Sequence, residues 1–432
     1  MTKGKYEGKK VLMLGSNAGS ADIVRYAKGE GAFVAVADYL SKEHSEAKLY
    51  ADEALRVSTA DVDALCEYVN NKGIDAVIAG ISEFNLLKAM EVSEKCGLRF
   101  YCTRKQWERV GTKHGFRMLC QEVGVPVPET FYIGNDLNAA LSSTSSYPAV
   151  VKPVDCGASR GVFICESREE LERCAPLSAK ESGCGEIIVE SFFSGDEFTA
   201  HYVVCDGKAS LLCVDNRYPV AVNEGRVTTI PAARVYPALF ADEYVGMVND
   251  ALCRLCESIG LKNAVVFVQG FYNRDTKNFV IFEAGLRSAA ELPNRLIRHA
   301  LGKDYMAFLL DSMLLDDATY EECDDDYRLD GTACACVSFV AKGGTVYKID
   351  GLDEVVGKLD SIIETEVRYK EGDVMPSGDT LNQLALRFYL CCKSREEMAK
   401  DIAVINETVD MLGSDGSSLV LKFEPSRLYG LD

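Results

Sequence analysis

Histidine is scarce: four residues in 432, spread too thinly to nominate a Ser/His/Asp set. Long apolar runs are absent as well. No stretch approaches the roughly 18 apolar residues of a membrane-spanning helix, so no membrane partner is expected. Positive charge is in deficit, with 47 Lys and Arg against 66 Asp and Glu and a formal net charge of −19. A nucleic-acid partner demands a basic face for its phosphates, so DNA and RNA are not expected partners. A small anion held by a few local cations remains open. Zinc ligands in paired motifs are also missing. The lone CxxC, Cys253 and Cys256, lies in the helical pattern NDALCRLCESIG without a second pair. The N-terminal stretch MTKGKYEGKKVLMLGS has an apolar part of only about four residues, too short for a secretory leader. Its 17 cysteines then read as reduced, mostly buried thiols, and a cytoplasmic location is the expectation.

What is present is the composition of a globular protein, 47% hydrophobic and 26% charged, long enough for two or three domains. KKVLMLGSNAGSADIVRYAKGEGAFVAVADY reads as strand, glycine-rich turn, helix, strand. ALRVS, DAVIAG and LRFYC continue the alternation as strands, with helices over 61–72 and 83–96, giving a doubly wound parallel sheet that ends near residue 105. The turn GSNAGS fits GxGxxG only loosely. It is open to three readings: a dinucleotide turn, an anion site at a helix start, or a tight connection. Helices are expected over 109–125, 241–259, 294–314 and 394–411, and SREELERC opens with a capping box, Ser167 to Glu170. A hairpin is expected over 264–284 with its turn at NRDTKN, and strands at ACACVSFVA, TVYKIDG and LALRFYLCC. The acidic EECDDDYRLD reads as a surface linker.

The stretch VVKPVDCGASRGVFIC puts Lys152 before a loop of small residues and a strand after it. A Walker loop would put its lysine after the glycines and run into a helix. This arrangement is a flap: backbone N–H groups around Gly157, Ala158, Ser159 and Gly161 can close over phosphate oxygens, with Lys152 as a point charge at the base. A plain surface hairpin is the alternative. Downstream, IIVESFFSGDEF places Glu190 at the end of an apolar strand and Glu197 seven residues later, a pattern suited to an adenosine pocket. Gln269 and Glu283 fall on facing strands of the 264–284 hairpin and offer hard oxygen ligands for Mg²⁺.

This ordered set resembles the ATP-grasp superfamily, and the likeness covers most of the chain. The resemblance implies α/β and α+β architecture: a Rossmann-like leading domain (1–108), an ATP-grasp domain (109–325) and a small C-terminal α+β lid (326–432). The middle domain would comprise a flap subdomain over about 126–193 and a metal-site subdomain over about 194–325. By the same resemblance Lys113 and Lys152 would contact phosphates, and Cys156 to Val162 would be the mobile loop. Glu190, Ser191, Phe192 and Phe193 would face adenine, Glu197 the ribose, and Gln269 and Glu283 would hold Mg²⁺ or Mn²⁺. The superfamily commonly closes this region with E-x-N-x-R. Here it reads Glu283-Ala284-Gly285-Leu286-Arg287, which keeps the arginine and replaces the asparagine by glycine.

The trailing unit is similar to that of carboxylate–amine ligases of the L-amino-acid ligase type. The implied reaction is ATP-dependent joining of a small carboxylate, such as an amino acid, to an amine or a thiol, through an acyl phosphate with release of ADP and phosphate. Arg287 would donate to the acyl phosphate. Glu83, in AGISEFN, could hold a substrate amine or merely start a helix. Arg295 and Arg298 could bind a substrate carboxylate or form a solvated helix face. The partners would be small molecules, and a homodimer is compatible with the resemblance. Three other readings stand beside this one: a carbamoyl-phosphate-synthetase- or biotin-carboxylase-like enzyme, an NAD-dependent oxidoreductase resting on GSNAGS, and a nucleotide-binding module without turnover, motivated by Gly285.

Overall fold

The computed structural model describes residues 4–157, 160–220, 230–321, 326–378 and 380–429. The leading sheet has four parallel strands, Lys10–Leu14, Phe33–Ala37, Glu53–Leu55 and Ala76–Ala79, in the order third, second, first, fourth. VLML of the central first strand is buried on both faces, as parallel strands between helices must be. Helices Ala18–Gly29, Val62–Lys72 and Glu83–Cys96 flank it. Their starts are fixed by Asn17, Asp61 and Ser82, whose side chains accept from backbone N–H groups of the first turn. The last two end at Gly73 and Gly97 in the left-handed conformation.

The expected strand LRFYC does not form. The Phe100 and Tyr101 rings stack at 4.5 Å, and the Tyr101 hydroxyl donates to the Leu286 carbonyl at 2.9 Å, so the segment is used at a junction and not in the sheet. The GSNAGS turn is explained by packing. A Cβ on Gly19 would stand 2.8 Å from Cδ2 of Leu292 and 3.1 Å from Cγ2 of Ile81.

Two antiparallel four-stranded sheets follow. The first holds Thr130–Gly134, Ala149–Pro153, Phe163–Cys165 and Ile187–Ser191 in the order first, fourth, second, third. With helix Arg168–Glu181 it builds its own core from Ala149, Val151, Leu171, Ala175, Ile187 and Val189. The Ser167 hydroxyl accepts from the Glu170 N–H, the first half of the expected capping box. The second sheet holds Asp196–Cys205, Lys208–Val214, Ala264–Asn273 and Asn278–Gly285, ordered second, first, third, fourth. It packs on an aromatic cluster that includes Phe198, Phe240, Tyr244 and Phe279.

Two expected helices are broken. Residues 109–125 belong to Arg104–Gly111 and Lys113–Val123, interrupted at Thr112. Residues 294–314 belong to Pro293–Leu301 and Tyr305–Leu314, interrupted at Gly302 with φ 70°. The trailing sheet orders Asn216–Val220, Ile230–Tyr236, Ala333–Ala341, Leu384–Cys392 and Ile362–Val367, and Val420–Leu421 pairs with Ala333–Ala341. Its first two strands therefore come from before residue 326. Among the described residues no helix is long and apolar enough to cross a membrane.

Candidate active site

Thr112 ends one helix and starts the next: its hydroxyl accepts from the Gly115 N–H at 3.1 Å and donates to the Glu108 carbonyl at 2.7 Å. This break places Lys113 on a helix's first turn, where its ammonium donates to the Cys156 carbonyl of the flap at 2.7 Å. Burial pulls the Lys113 pKa below the ordinary lysine value, and the nearby Glu283 carboxylate opposes that pull. Lys152 and Glu190 also act on Lys113 electrostatically, so these four groups from four elements converge on one region.

Lys152 and Glu190 face each other across adjacent strands of the flap sheet and form a buried ion pair. Glu190 is clamped from its other oxygen by Arg117, Nη2 to Oε2 at 2.6 Å. Burial raises the carboxyl's pKa, but Lys152 and then Arg117 outweigh it and hold Glu190 below the usual carboxylate range. Glu190 is therefore not a free carboxylate turned to an adenine, as a hinge residue would be. It holds the two cations. The Ser191 hydroxyl accepts from the Glu129 N–H at 3.0 Å, Phe192 is exposed and Phe193 half-buried. Gly157 borders the flap tip, and Gly161 closes it with φ 68°. Ala158 and Ser159 lie outside the described residues.

The second sheet supplies the opposing wall. Thr199 pairs with Gln269, and Gln269 with Glu283, in antiparallel register. Alternation along the strand adds Glu197 to the same face. Gln269 donates its amide N–H to the Thr199 hydroxyl at 3.3 Å, which leaves its oxygen to accept or to ligate a cation. Oxygen ligands of this kind, an amide and a carboxylate, fit a hard cation such as Mg²⁺ that keeps waters and phosphate oxygens in its shell. No group of three or more His, Cys, Asp or Glu able to hold a metal exists among the described residues.

Comparisons with known proteins bear on the fold that carries these residues. The family model "D-ala D-ala ligase C-terminus" matches residues 119–219. Cyanophycin synthetase from Crocosphaera subtropica is 34% identical over 113 residues, which is 26% of this chain and 12% of that protein. Dapdiamide A synthase from Enterobacter agglomerans is 21% identical over 260 residues, 56% of each chain. The chain thus spans about an eighth to about half the length of these curated relatives. Solved structures match nearly throughout. An L-amino acid ligase from Bacillus licheniformis superimposes with a TM-score of 0.75 at 17% identity, over 94% of this chain and 99% of that one. The biotin carboxylase domain of a 2-oxoglutarate carboxylase from Hydrogenobacter thermophilus, solved with ADP and magnesium, gives 0.78 at 17% identity over 94% and 91%.

The chain has the ATP-grasp fold.

In this fold Arg287 is held by three contacts. Its Nε donates to Glu83 at 2.8 Å, its Nη1 donates to the Ser288 carbonyl at 3.0 Å, and its guanidinium lies 4.8 Å from the centre of the Phe267 ring. Glu83 takes a second donor, the Trp107 indole N–H, so it is engaged by protein on both oxygens and is not free for a substrate amine. Arg295 is not on a solvated face. It is 2% exposed and bidentate to Asp22 at 2.8 and 3.0 Å. Arg298 is exposed and pairs with Asp304 at 3.2 Å, apart from the other candidates.

Three arginines escaped the sequence reading. Arg117 stands four residues after Lys113 on one helix face, a spacing that could have flagged it. Arg217 and Arg234 are directly opposite on paired strands, where like charges repel unless each has a carboxylate. Arg217 takes Glu197 at 2.7 Å; Arg234 takes Asp215 at 2.9 Å and Glu291 at 3.1 Å. No sequence spacing signals those pairs.

Proposed function

We propose that this chain is an ATP-dependent ligase that joins a small carboxylate, such as that of an amino acid, to an amine. A thiol acceptor is a chemical variant of the same scheme. The observation that carries the reading is the convergence of Lys113, Lys152 with its flap, and the Gln269–Glu283 pair in one region. The relatives named as synthetases and ligases support it.

ATP would lie between the flap sheet and the second sheet. Lys113 and Lys152 neutralise phosphate charge, and flap N–H groups donate to phosphate oxygens. Lys152 exchanges its Glu190 partner for phosphate as nucleotide enters, and Arg117 stays behind to keep Glu190 paired. Gln269 and Glu283 would hold Mg²⁺, which supplies charge stabilisation on the phosphates when bound. The substrate carboxylate attacks the γ-phosphorus, and ADP leaves. The amine nitrogen then attacks the acyl carbon, the tetrahedral intermediate collapses, and phosphate departs with the C–O electron pair while the nitrogen loses a proton. Arg287 is positioned by Glu83 and Phe267 to donate to the acyl phosphate, and one such donor contributes about 3 kcal/mol. Closure of the flap protects the acyl phosphate from water.

The test is an ADP- and phosphate-release screen with amino acids singly and in pairs, and with thiols and bicarbonate as separate arms. ADP formation that requires a carboxylate and an amine together is the expected result. AMP and pyrophosphate as products, or full turnover on bicarbonate alone, would count against it.

A further inference from the structure

The metal-holding pair has a neighbour on the same face of the same two strands. Gln269 and Glu283 are register partners, and two residues along each strand Phe267 and Gly285 are register partners too. Alternation turns both pairs to one side. A side chain at 285 would therefore stand beside the Glu283 carboxylate. Glycine leaves that place without a side chain, and the Phe267 ring fills it: a Cβ on residue 285 would stand 2.4 Å from Cε1 and 2.7 Å from Cζ of the ring. An aromatic ring laid across a strand glycine is a recognised packing device. Here the ring is 4% exposed, and its packing is completed by the Arg287 guanidinium 4.8 Å from its centre.

Hydrocarbon in that place has a consequence for the cation count. Two adjacent divalent ions, typically ~4 Å apart, need protein oxygens for each. Beside one another on this face stand one carboxylate, Glu283, and one amide oxygen, Gln269; the next position along is closed by the ring, and the face's further carboxylate, Glu197, is paired with Arg217 at 2.7 Å.

Resting on the ligase reading above, we infer that Phe267 plugs the position beside Glu283, and that the nucleotide site takes a single divalent cation. Phe267 is then a residue that sets metal stoichiometry, and it also seats Arg287.

The experiment uses the full chain with a non-hydrolysable ATP analogue and Mn²⁺, followed by electron paramagnetic resonance. One tightly held Mn²⁺ per chain is expected, with the six-line signal of an isolated ion. The double variant Phe267→Ala/Gly285→Asn opens the place and supplies an oxygen; it should take a second Mn²⁺ and show the broadened signal of two coupled ions. Phe267→Ala alone should stay at one ion. Two coupled ions in the unaltered chain overturn the inference. So does a folded double variant that remains at one ion. Should the double variant fail to fold, the count on the unaltered chain still decides. Absence of any nucleotide-dependent Mn²⁺ binding would instead sink the ligase reading, and the plug with it.

Discussion

Glu190 has two cationic partners inside the protein, and that number decides what each cation can do. A buried carboxylate held by one cation becomes costly when that cation is drawn away, because desolvation is no longer offset. With Arg117 at 2.6 Å as a permanent partner, Lys152 can move toward phosphate and leave Glu190 still paired. Arg117→Met should therefore destabilise the chain by about 3 kcal/mol at neutral pH, read by urea denaturation. The pH dependence follows from the lowered Glu190 pKa. A depressed folded value gives stability that is complete above the unfolded value of ~4.3 and is lost as pH falls through the folded one. Removing Arg117 takes away one of the cations that depress it. The deficit of the variant should then be greatest near pH 7 and shrink as pH falls from ~4.3 through the depressed folded value, below which the carboxyl is neutral in both proteins. A deficit independent of pH would mean that Arg117 acts only through packing. Lys152 and Glu190 were legible in the sequence because apolar strands end near them, and Glu197 by its place seven residues after Glu190. Their pairings with Arg117 and Arg217 were not, since Arg117 reaches Glu190 from a helix and Arg217 reaches Glu197 from another strand, contacts between elements that no local spacing encodes.

At the scale of an element, the flap is a hairpin with one demanding corner. Gly161 has φ 68°, and a Cβ there would stand 2.8 Å from Cγ of Pro153 and 3.1 Å from Cβ of Glu181. Both the backbone conformation and the close approach exclude a side chain. Gly161→Ala should cost about 1–2 kcal/mol in local strain. Because the strain falls on the loop, it should appear chiefly as weaker nucleotide binding and slower turnover, with the melting temperature moved by only a few degrees. Gly157→Ala is the control. Among the described residues, its chain neighbours apart, no atom lies within 4 Å of its Cβ position, so binding should change little. The hairpin was legible because an apolar run, a small-residue loop and a second apolar run are signals of short range. The helix break before Lys113 was not. RVGTKHGFRML reads as one periodic helix, and the capping by Thr112 that divides it is visible only once Gly115 is seen pressed against Glu108 and Arg109. LRFYC has strand composition, yet the Tyr101 hydroxyl and the ring stack bind it elsewhere.

At the scale of the whole molecule, the parallel leading sheet and the hairpin of the second sheet were readable from periodicity. The sharing of the trailing sheet was not, because Asn216–Val220 and Ile230–Tyr236 join strands more than 90 residues further on. The units are also tied by charge. Arg295, on helix Pro293–Leu301, is bidentate to Asp22 of the leading unit's first helix, lies 3.2 Å from Glu364 of the trailing sheet, and stacks 4.8 Å from the centre of the Tyr389 ring. One guanidinium thus bridges three units at the point where they meet, and its partners Asp22 and Glu364 repel each other when it is absent. Arg295→Met should cost about 3 kcal/mol, because Asp22 loses its buried bidentate partner and keeps only Arg25, whose side chain is 38% exposed. Arg298→Met, three residues on and paired only at the surface with Asp304, should cost under about 0.5 kcal/mol. Denaturation of the two variants side by side measures this difference. If Arg295 were a substrate ligand, as its place after the E-x-N-x-R-like segment first suggested, Arg295→Met would raise the KM for the carboxylate and leave stability nearly untouched. The geometry predicts the reverse: a large loss of stability, and nucleotide affinity kept in the fraction that remains folded, since Lys113, Lys152 and Glu283 make no contact with it.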